Sequence, residues 1–206
     1  MIVSLPLDIH SIKGFLAEDE GEALYEYALN AAAVGPCLEI GSYCGKSTVY
    51  LGLACQQSGN TLYALDHHRG SEEHQLGEEY HDPDTYDAGV EQIDTFPIFR
   101  QTIEQAGLLD TVVPLVAGSA LVARHWGTPL GMLFIDGGHS LAAALADYHG
   151  WSNKVAPGGI LAIHDLFPNP DEGGQAPIHI WRLAQESGQF ECLPTVNTLG
   201  LLRRLT

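Results

Sequence analysis

Short, solid apolar runs alternate with longer amphipathic stretches along most of this chain. After an irregular opening from Met1 to Lys13, residues 18–33 carry Leu24, Tyr27 and Ala28 at helical spacing, and Gly35-Pro36 ends that helix. Cys37 to Gly41 reads as a buried strand, Lys46 to Gln57 as a helix, and Thr61 to Leu65 as a second strand running into Asp66. The same alternation continues with a helix from Phe96 to Ala106 and a strand from Val112 to Val116. Gly118-Ser119 then opens a short helix, and Met132 to Ile135 is a strand ending in Asp136. A helix over 139–155 stops at Pro157-Gly158-Gly159, and Ile160 to Ile163 is a strand running into His164-Asp165. A further helix spans about Ile178 to Ser187, and the tail from Phe190 to Arg203 fits an antiparallel hairpin around Asn197. Strands that are apolar throughout, each followed by a helix, predict an α/β fold: a doubly wound, mostly parallel sheet covered on both faces. In such sheets ligands bind beyond the carboxyl ends of the strands. Glu39, Asp66, Asp136, His164 and Asp165 all fall at or just before those ends.

With 206 residues and no internal repeat or low-complexity linker, residues 1–206 read as one domain. The charge balance adds a constraint. Nine basic residues against 26 acidic ones leave a net charge of −17. A polyanion such as DNA or RNA would be repelled by most of that surface, so a nucleic-acid partner is not expected. Cys37, Cys44, Cys55 and Cys192 form no CxxC pair and read as small apolar fillers in a reducing compartment. No apolar stretch is long enough to cross a bilayer and no leader pattern opens the chain, so the expected location is the cytoplasm, without a membrane partner. A homodimer is left open.

The first candidate site is the turn Glu39-Ile-Gly41-Ser42-Tyr-Cys-Gly45-Lys-Ser47, between the first strand and its helix. Glycines there let a ligand approach the backbone, and the helix start offers free N–H groups. Asp66, at the end of the second strand, can accept from both hydroxyls of a ribose. For a dinucleotide the turn lacks GxGxxG. For a nucleoside triphosphate it resembles a P-loop but has three residues between the glycines, where phosphate wrapping needs four. For S-adenosyl-L-methionine, an acidic residue two before Gly41 suits a sulfonium ligand with an amino group and no phosphate. A P-loop-like nucleotide-binding protein or kinase and a non-catalytic adenosyl-ligand sensor are the rival readings.

A second cluster lies further along. Asp136 and His139 stand where a strand runs into a helix, and His164-Asp165 ends the expected neighbouring strand. Adjacent strands are about 4.8 Å apart, so these groups converge. Two carboxylates with one or two histidines suit a divalent cation, Mg²⁺ or Mn²⁺, that lowers the pKa of a bound hydroxyl while a histidine takes the proton. Without a metal, His139 and His164 could act as base and acid. Asp136 could also merely cap the following helix.

Together these segments, with Phe134-Ile-Asp136-Gly-x-His139 and Pro157-Gly-Gly-x-x-x-x-His164-Asp165, resemble the class I S-adenosylmethionine-dependent methyltransferases. The particular likeness is to small bacterial members of the "methyltransferase 24" type with an IDGxH motif. The resemblance implies a seven-stranded sheet with a reversed last strand. It also implies Glu39, Gly41, Ser42, Gly45 and Ser47 around the methionine part of the cofactor, Asp66 and His67 at the ribose, and Gly118 and Ser119 at the adenine edge. The second cluster is similar to that of metal-dependent sugar O-methyltransferases. This implies Asp136 and Asp165 as metal ligands and His139 as general base, acting on a small-molecule hydroxyl acceptor. Those enzymes carry an acid where His164 stands, which opens His164 as a third ligand. Residues 67–94, rich in histidine and acid, resemble an insertion in related sugar-modifying enzymes and read as a lid, with Arg69 and Glu73 as polar contacts. The loop from Asn169 to Gln175 could close over the same cleft, and Trp151 and Trp181 read as core.

Overall fold

The computed structural model describes residues 3–71, 82–89 and 91–206. Helix α1 (Glu18–Ala31) leads into strand β1 (Cys37–Ile40), helix α2 (Lys46–Ser58) and strand β2 (Leu62–Asp66). A small antiparallel pair, β3 (Tyr86–Asp87) and β4 (Gln92–Ile93), precedes helix α3 (Phe96–Gln105) and strand β5 (Val112–Val116). Helix α4 (Ser119–Ala123), strand β6 (Leu130–Ile135), helix α5 (Leu141–Trp151) and strand β7 (Val155–Ile163) follow. Helix α6 (Ala176–Glu186) and strands β8 (Phe190–Cys192) and β9 (Gly200–Arg204) complete the fold.

Seven strands form one sheet in the order β5-β2-β1-β6-β7-β9-β8. The pairings from β5 across to β7 are parallel, and β9 runs antiparallel to both β7 and β8. This is the doubly wound, mostly parallel sheet with a reversed last strand. The β8–β9 turn includes Asn197, in the left-handed region at φ 47°. The period-two alternation of a strand splits its apolar side chains between two cores. Met132 and Phe134 of β6 pack with Leu24, Ala28, Leu51 and Phe99 of the first three helices. Leu133 and Ile135 pack on the other face with Tyr148, Trp151 and Trp181. Trp151 and Trp181 are therefore core, as expected. Each such large side chain contributes about 1.5–3 kcal/mol by leaving water.

Two boundaries differ from the sequence reading. The helix expected over 139–155 is shorter, because Ser140 caps its start by accepting from the Ala143 N–H at 3.3 Å. Ser140, not Asp136, is thus the cap. At its other end Val155 already belongs to β7, and Pro157-Gly158-Gly159 lie inside the strand as an irregularity opposite the Leu130–Met132 stretch. Gly158 has φ +81°, and a Cβ on Gly159 would meet the Gly131 carbonyl oxygen at 2.9 Å. Glycine here permits a close strand approach, where the sequence reading took it for a stop.

Candidate active site

The carboxyl ends of β1, β2, β5, β6 and β7 open into one cleft of about 520 Å³. At its centre Gly41 turns the chain with φ +87° and carries no Cβ for a physical reason. A Cβ would stand 2.0 Å from the Asp136 carbonyl oxygen. Gly45, at φ +95°, starts α2. Between them Ser42 lines the cleft yet is 1% exposed, and its hydroxyl has no hydrogen-bond partner among the described residues. A buried hydroxyl left without a partner is costly, so this cradle fits a polar ligand that would satisfy it. Asp66 lies alongside, accepting from the Tyr43 N–H at 2.8 Å and the His68 N–H at 2.7 Å. A carboxylate has about four acceptor positions, so capacity for ligand hydroxyls remains.

Glu39 lies beneath this turn and not on the cleft wall. It is fully buried, and its oxygens accept from the Ser47 and Thr48 hydroxyls. Burial pushes its carboxyl up to about 8, against the pull of those two hydroxyls and with help from the Asp136 and Asp66 charges. The Ser47 hydroxyl is thereby committed to Glu39. Lys46, the residue a phosphate loop would use, donates to the Gly14 carbonyl at 3.1 Å.

Beside this turn Asp136, His139 and Asp165 come together, with ligand atoms within 4.8 Å of one another. His139 Nε2 is 3.2 Å from Asp165 Oδ2. This differs from the expected metal trio of Asp136, His164 and Asp165, for a clear reason. His164 is 3% exposed, with Nδ1 3.2 Å from Asp136 Oδ1 and 3.3 Å from Asp165 Oδ1, and Nε2 3.0 Å from Glu20 Oε2. Burial alone would lower its pKa, but the charges and hydrogen bonds of Asp136, Asp165 and Glu20 hold it far above the usual histidine value. Both ring nitrogens thus face carboxylates of the chain itself, and the ring stands behind the Asp136–His139–Asp165 group. Asp165 sits in the left-handed region at φ 59°. Burial raises its carboxyl, but His139 and His164 outweigh this and hold it well below the usual carboxylate range.

Glu20 was missed in the sequence. It stands one helical turn before Leu24, on the buried face of α1, and is 2% exposed. Burial raises its carboxyl, yet His164, Thr198 and the Ala17 N–H bring it down to about 2. The other expected residues scatter around the cleft. His67, Gly118 and Ser119 line it. The Ser119 hydroxyl accepts from the Trp151 indole N–H at 2.8 Å and meets Asp147, a buried carboxyl that burial pushes up. Arg69 is engaged at the base of its loop, donating to the Ile93 carbonyl at 3.1 Å. His68 is core: 2% exposed, packed on Phe96 and Phe99, with Nδ1 2.8 Å from the Thr95 hydroxyl. Gly174 lies next to His139. Glu73 and the rest of the expected lid over 72–81 lie outside the described residues.

Solved structures share this architecture. The O-methyltransferase NovP is 16% identical at a TM-score of 0.66, covering 92% of this chain and 81% of its own. TomG from Streptomyces achromogenes, an O-methyltransferase of tomaymycin synthesis solved with S-adenosylmethionine, is 14% identical at 0.63, covering 93% and 82%. An O-methyltransferase from Bacillus cereus, solved with S-adenosylhomocysteine, is 16% identical at 0.62, covering 93% and 83%. At these identities the likeness is one of fold. The sequence match is more direct: residues 38–166, from the first buried strand through Asp165, match the family described as a methyltransferase domain. With that match spanning both groups of cleft residues, the chain belongs to the methyltransferase domain family and to its class I fold.

Proposed function

We propose that this chain is an S-adenosylmethionine-dependent O-methyltransferase that modifies a hydroxyl of a sugar or another polar small molecule, assisted by Mg²⁺ or Mn²⁺. The observation that carries this reading is the continuity of one cleft. It is lined both by the Gly41-Ser42 cradle with Asp66 and by Asp136, His139 and Asp165. Its size is that of a small-molecule site, usually about 300–1,000 Å³. The net charge of −17 disfavours a nucleic-acid acceptor.

In this reading Asp66 and His67 take the ribose, and Gly118 and Ser119 take the adenine edge. Gly41, Ser42 and Gly45 shape the methionine end, with Glu39 and Ser47 buttressing it from below. Asp136 and Asp165 hold the cation. His139 accepts the proton of the acceptor hydroxyl at a ring nitrogen, and Asp165 orients that ring. When bound, the cofactor supplies a sulfonium methyl group and the cation acidifies the hydroxyl. The chain's own contribution is to hold these partners in line and to place a base beside the nucleophile. Residues 1–206 act as one domain. No helix among the described residues is long and apolar enough to cross a membrane, and a cytoplasmic location goes with the free cysteines.

The contact between His139 Nε2 and Asp165 Oδ2, at 3.2 Å, favours a second reading in which the pair is a metal-free base. Calorimetry separates the cofactor reading from the nucleotide-binding one. S-adenosylmethionine and S-adenosylhomocysteine bind and ATP does not; binding of ATP alone would overturn the proposal.

A further inference from the structure

The His164 ring has only two nitrogens, and both are used. Nδ1 faces one oxygen of Asp136 and one of Asp165, while Nε2 faces Glu20. The ring therefore cannot turn without breaking its contact to Glu20 or to the pair. Glu20 is fixed in turn from outside the cleft. Its Oε1 accepts from the Thr198 N–H at 2.9 Å and the Thr198 hydroxyl at 2.7 Å. Its Oε2 accepts from the Ala17 N–H at 3.0 Å as well as from His164. One carboxylate thus ties the start of α1 and the β8–β9 turn to the end of β7. It does so next to Asp165, whose left-handed backbone needs such restraint.

We propose that Glu20 is a positioning residue: through His164 it holds one oxygen of Asp136 and one of Asp165, so that Asp136 Oδ2 and the Asp165 oxygen shared with His139 are the ones presented to the cation. The proposal rests on the cation reading of the site. His164 is then the link that passes the position of Glu20 to both carboxylates. It answers why a histidine stands at the end of a strand otherwise surrounded by carboxylates. The physical prediction concerns acceptor capacity. A glutamine side chain has one acceptor oxygen, where the donors on Glu20 come from Ala17, His164 and Thr198. One of those groups must lose its partner, and the ring loses its fixed orientation.

The test is Mn²⁺ binding to the full chain by electron paramagnetic resonance, beside S-adenosylhomocysteine binding by calorimetry. Wild type takes up Mn²⁺. Glu20→Gln weakens Mn²⁺ binding by about tenfold or more, as loss of a group behind a metal ligand does, and leaves S-adenosylhomocysteine binding unchanged. Thr198→Val, which keeps the backbone donor, weakens Mn²⁺ in the same direction but less. Unchanged Mn²⁺ affinity in Glu20→Gln, or equal weakening of both ligands, overturns the proposal and leaves Glu20 a scaffold residue. If Glu20→Gln does not fold, the same criteria applied to Thr198→Val decide. Absence of Mn²⁺ binding in wild type refutes the cation reading itself and takes this inference with it, whereas a change confined to the variants separates the two.

Discussion

Replacing Glu39 by glutamine should stabilise the protein at neutral pH, although it removes a side chain at the heart of the cofactor turn. The carboxyl is fully buried and its pKa is pushed from 4.5 to about 8. Between those values the folded chain keeps a proton that the unfolded chain has released, so the folded state binds more protons. Stability must then fall as pH rises through this window. Each tenfold change in proton affinity is worth roughly 1.4 kcal/mol. The penalty is near zero below the unfolded value, about 3 kcal/mol at pH 7, and about 5 kcal/mol once pH exceeds the folded value. Glu39→Gln has nearly the same shape, and its amide can donate to one of the Ser47 and Thr48 hydroxyls while accepting from the other. The assay is urea unfolding of wild type and variant at pH 5, 7 and 8.5. The variant should exceed wild type by no more than about 1 kcal/mol at pH 5 and increasingly at the higher values. Parallel pH profiles, or a variant weaker at every pH, would refute a buried neutral Glu39.

Other outcomes follow from the same geometry. Gly41→Ala places a Cβ 2.0 Å from the Asp136 carbonyl at a φ of +87°. Backbone strain of about 1–2 kcal/mol adds to that clash, so the melting temperature falls and S-adenosylhomocysteine binding is lost in calorimetry. His139→Ala lowers kcat by about 10²–10⁴ while S-adenosylhomocysteine affinity stays within error; unaltered turnover would point to a different base. Lys13 pairs with Asp82, and with Asp84 at 2.8 Å, tying those two residues to the opening of the chain. Lys13→Ala costs no more than about 1 kcal/mol, but hydrogen exchange at Asp84 and Thr85 speeds up, and added salt reproduces the effect in wild type.

Much of the fold was legible because local signals and tertiary demands coincide. Val112–Val116 and the start of α2 at Lys46 are where the pattern puts them. There the apolar run and the glycine turn say the same thing that the parallel sheet requires. The reversed last strand was what the resemblance implied, and the antiparallel hairpin read around Asn197 is the β8–β9 pair that supplies it. Pro157-Gly158-Gly159 misled because those residues end a helix in most contexts, and only the nearness of Gly131 shows why glycine is needed inside β7. The acidic and histidine groups at the strand ends were readable one by one. Their pairing was not, because Glu20 is 144 residues from His164 and its only sequence sign is an acid on the buried face of α1. With Glu20 unseen, His164 looked available for a metal. In the fold it is buried with carboxylates facing both ring nitrogens, and neither feature is encoded in spacing. His68 is similar: one of several polar residues in a histidine-rich stretch, it proves to be packed between aromatic rings.

Whether the cleft between Gly41 and Asp165 transfers a methyl group to oxygen is decided by a labelled cofactor. The purified chain is given methyl-labelled S-adenosylmethionine and a panel of sugars and phenols, with and without chelator, and the products are examined for O-methyl groups. The expected result is O-methylation of at least one polar hydroxyl acceptor that chelator suppresses and Mg²⁺ or Mn²⁺ restores. O-methylation indifferent to chelator would replace the cation by the His139–Asp165 pair. Label transferred to nitrogen or carbon only would contradict O-methyl transfer in this cleft.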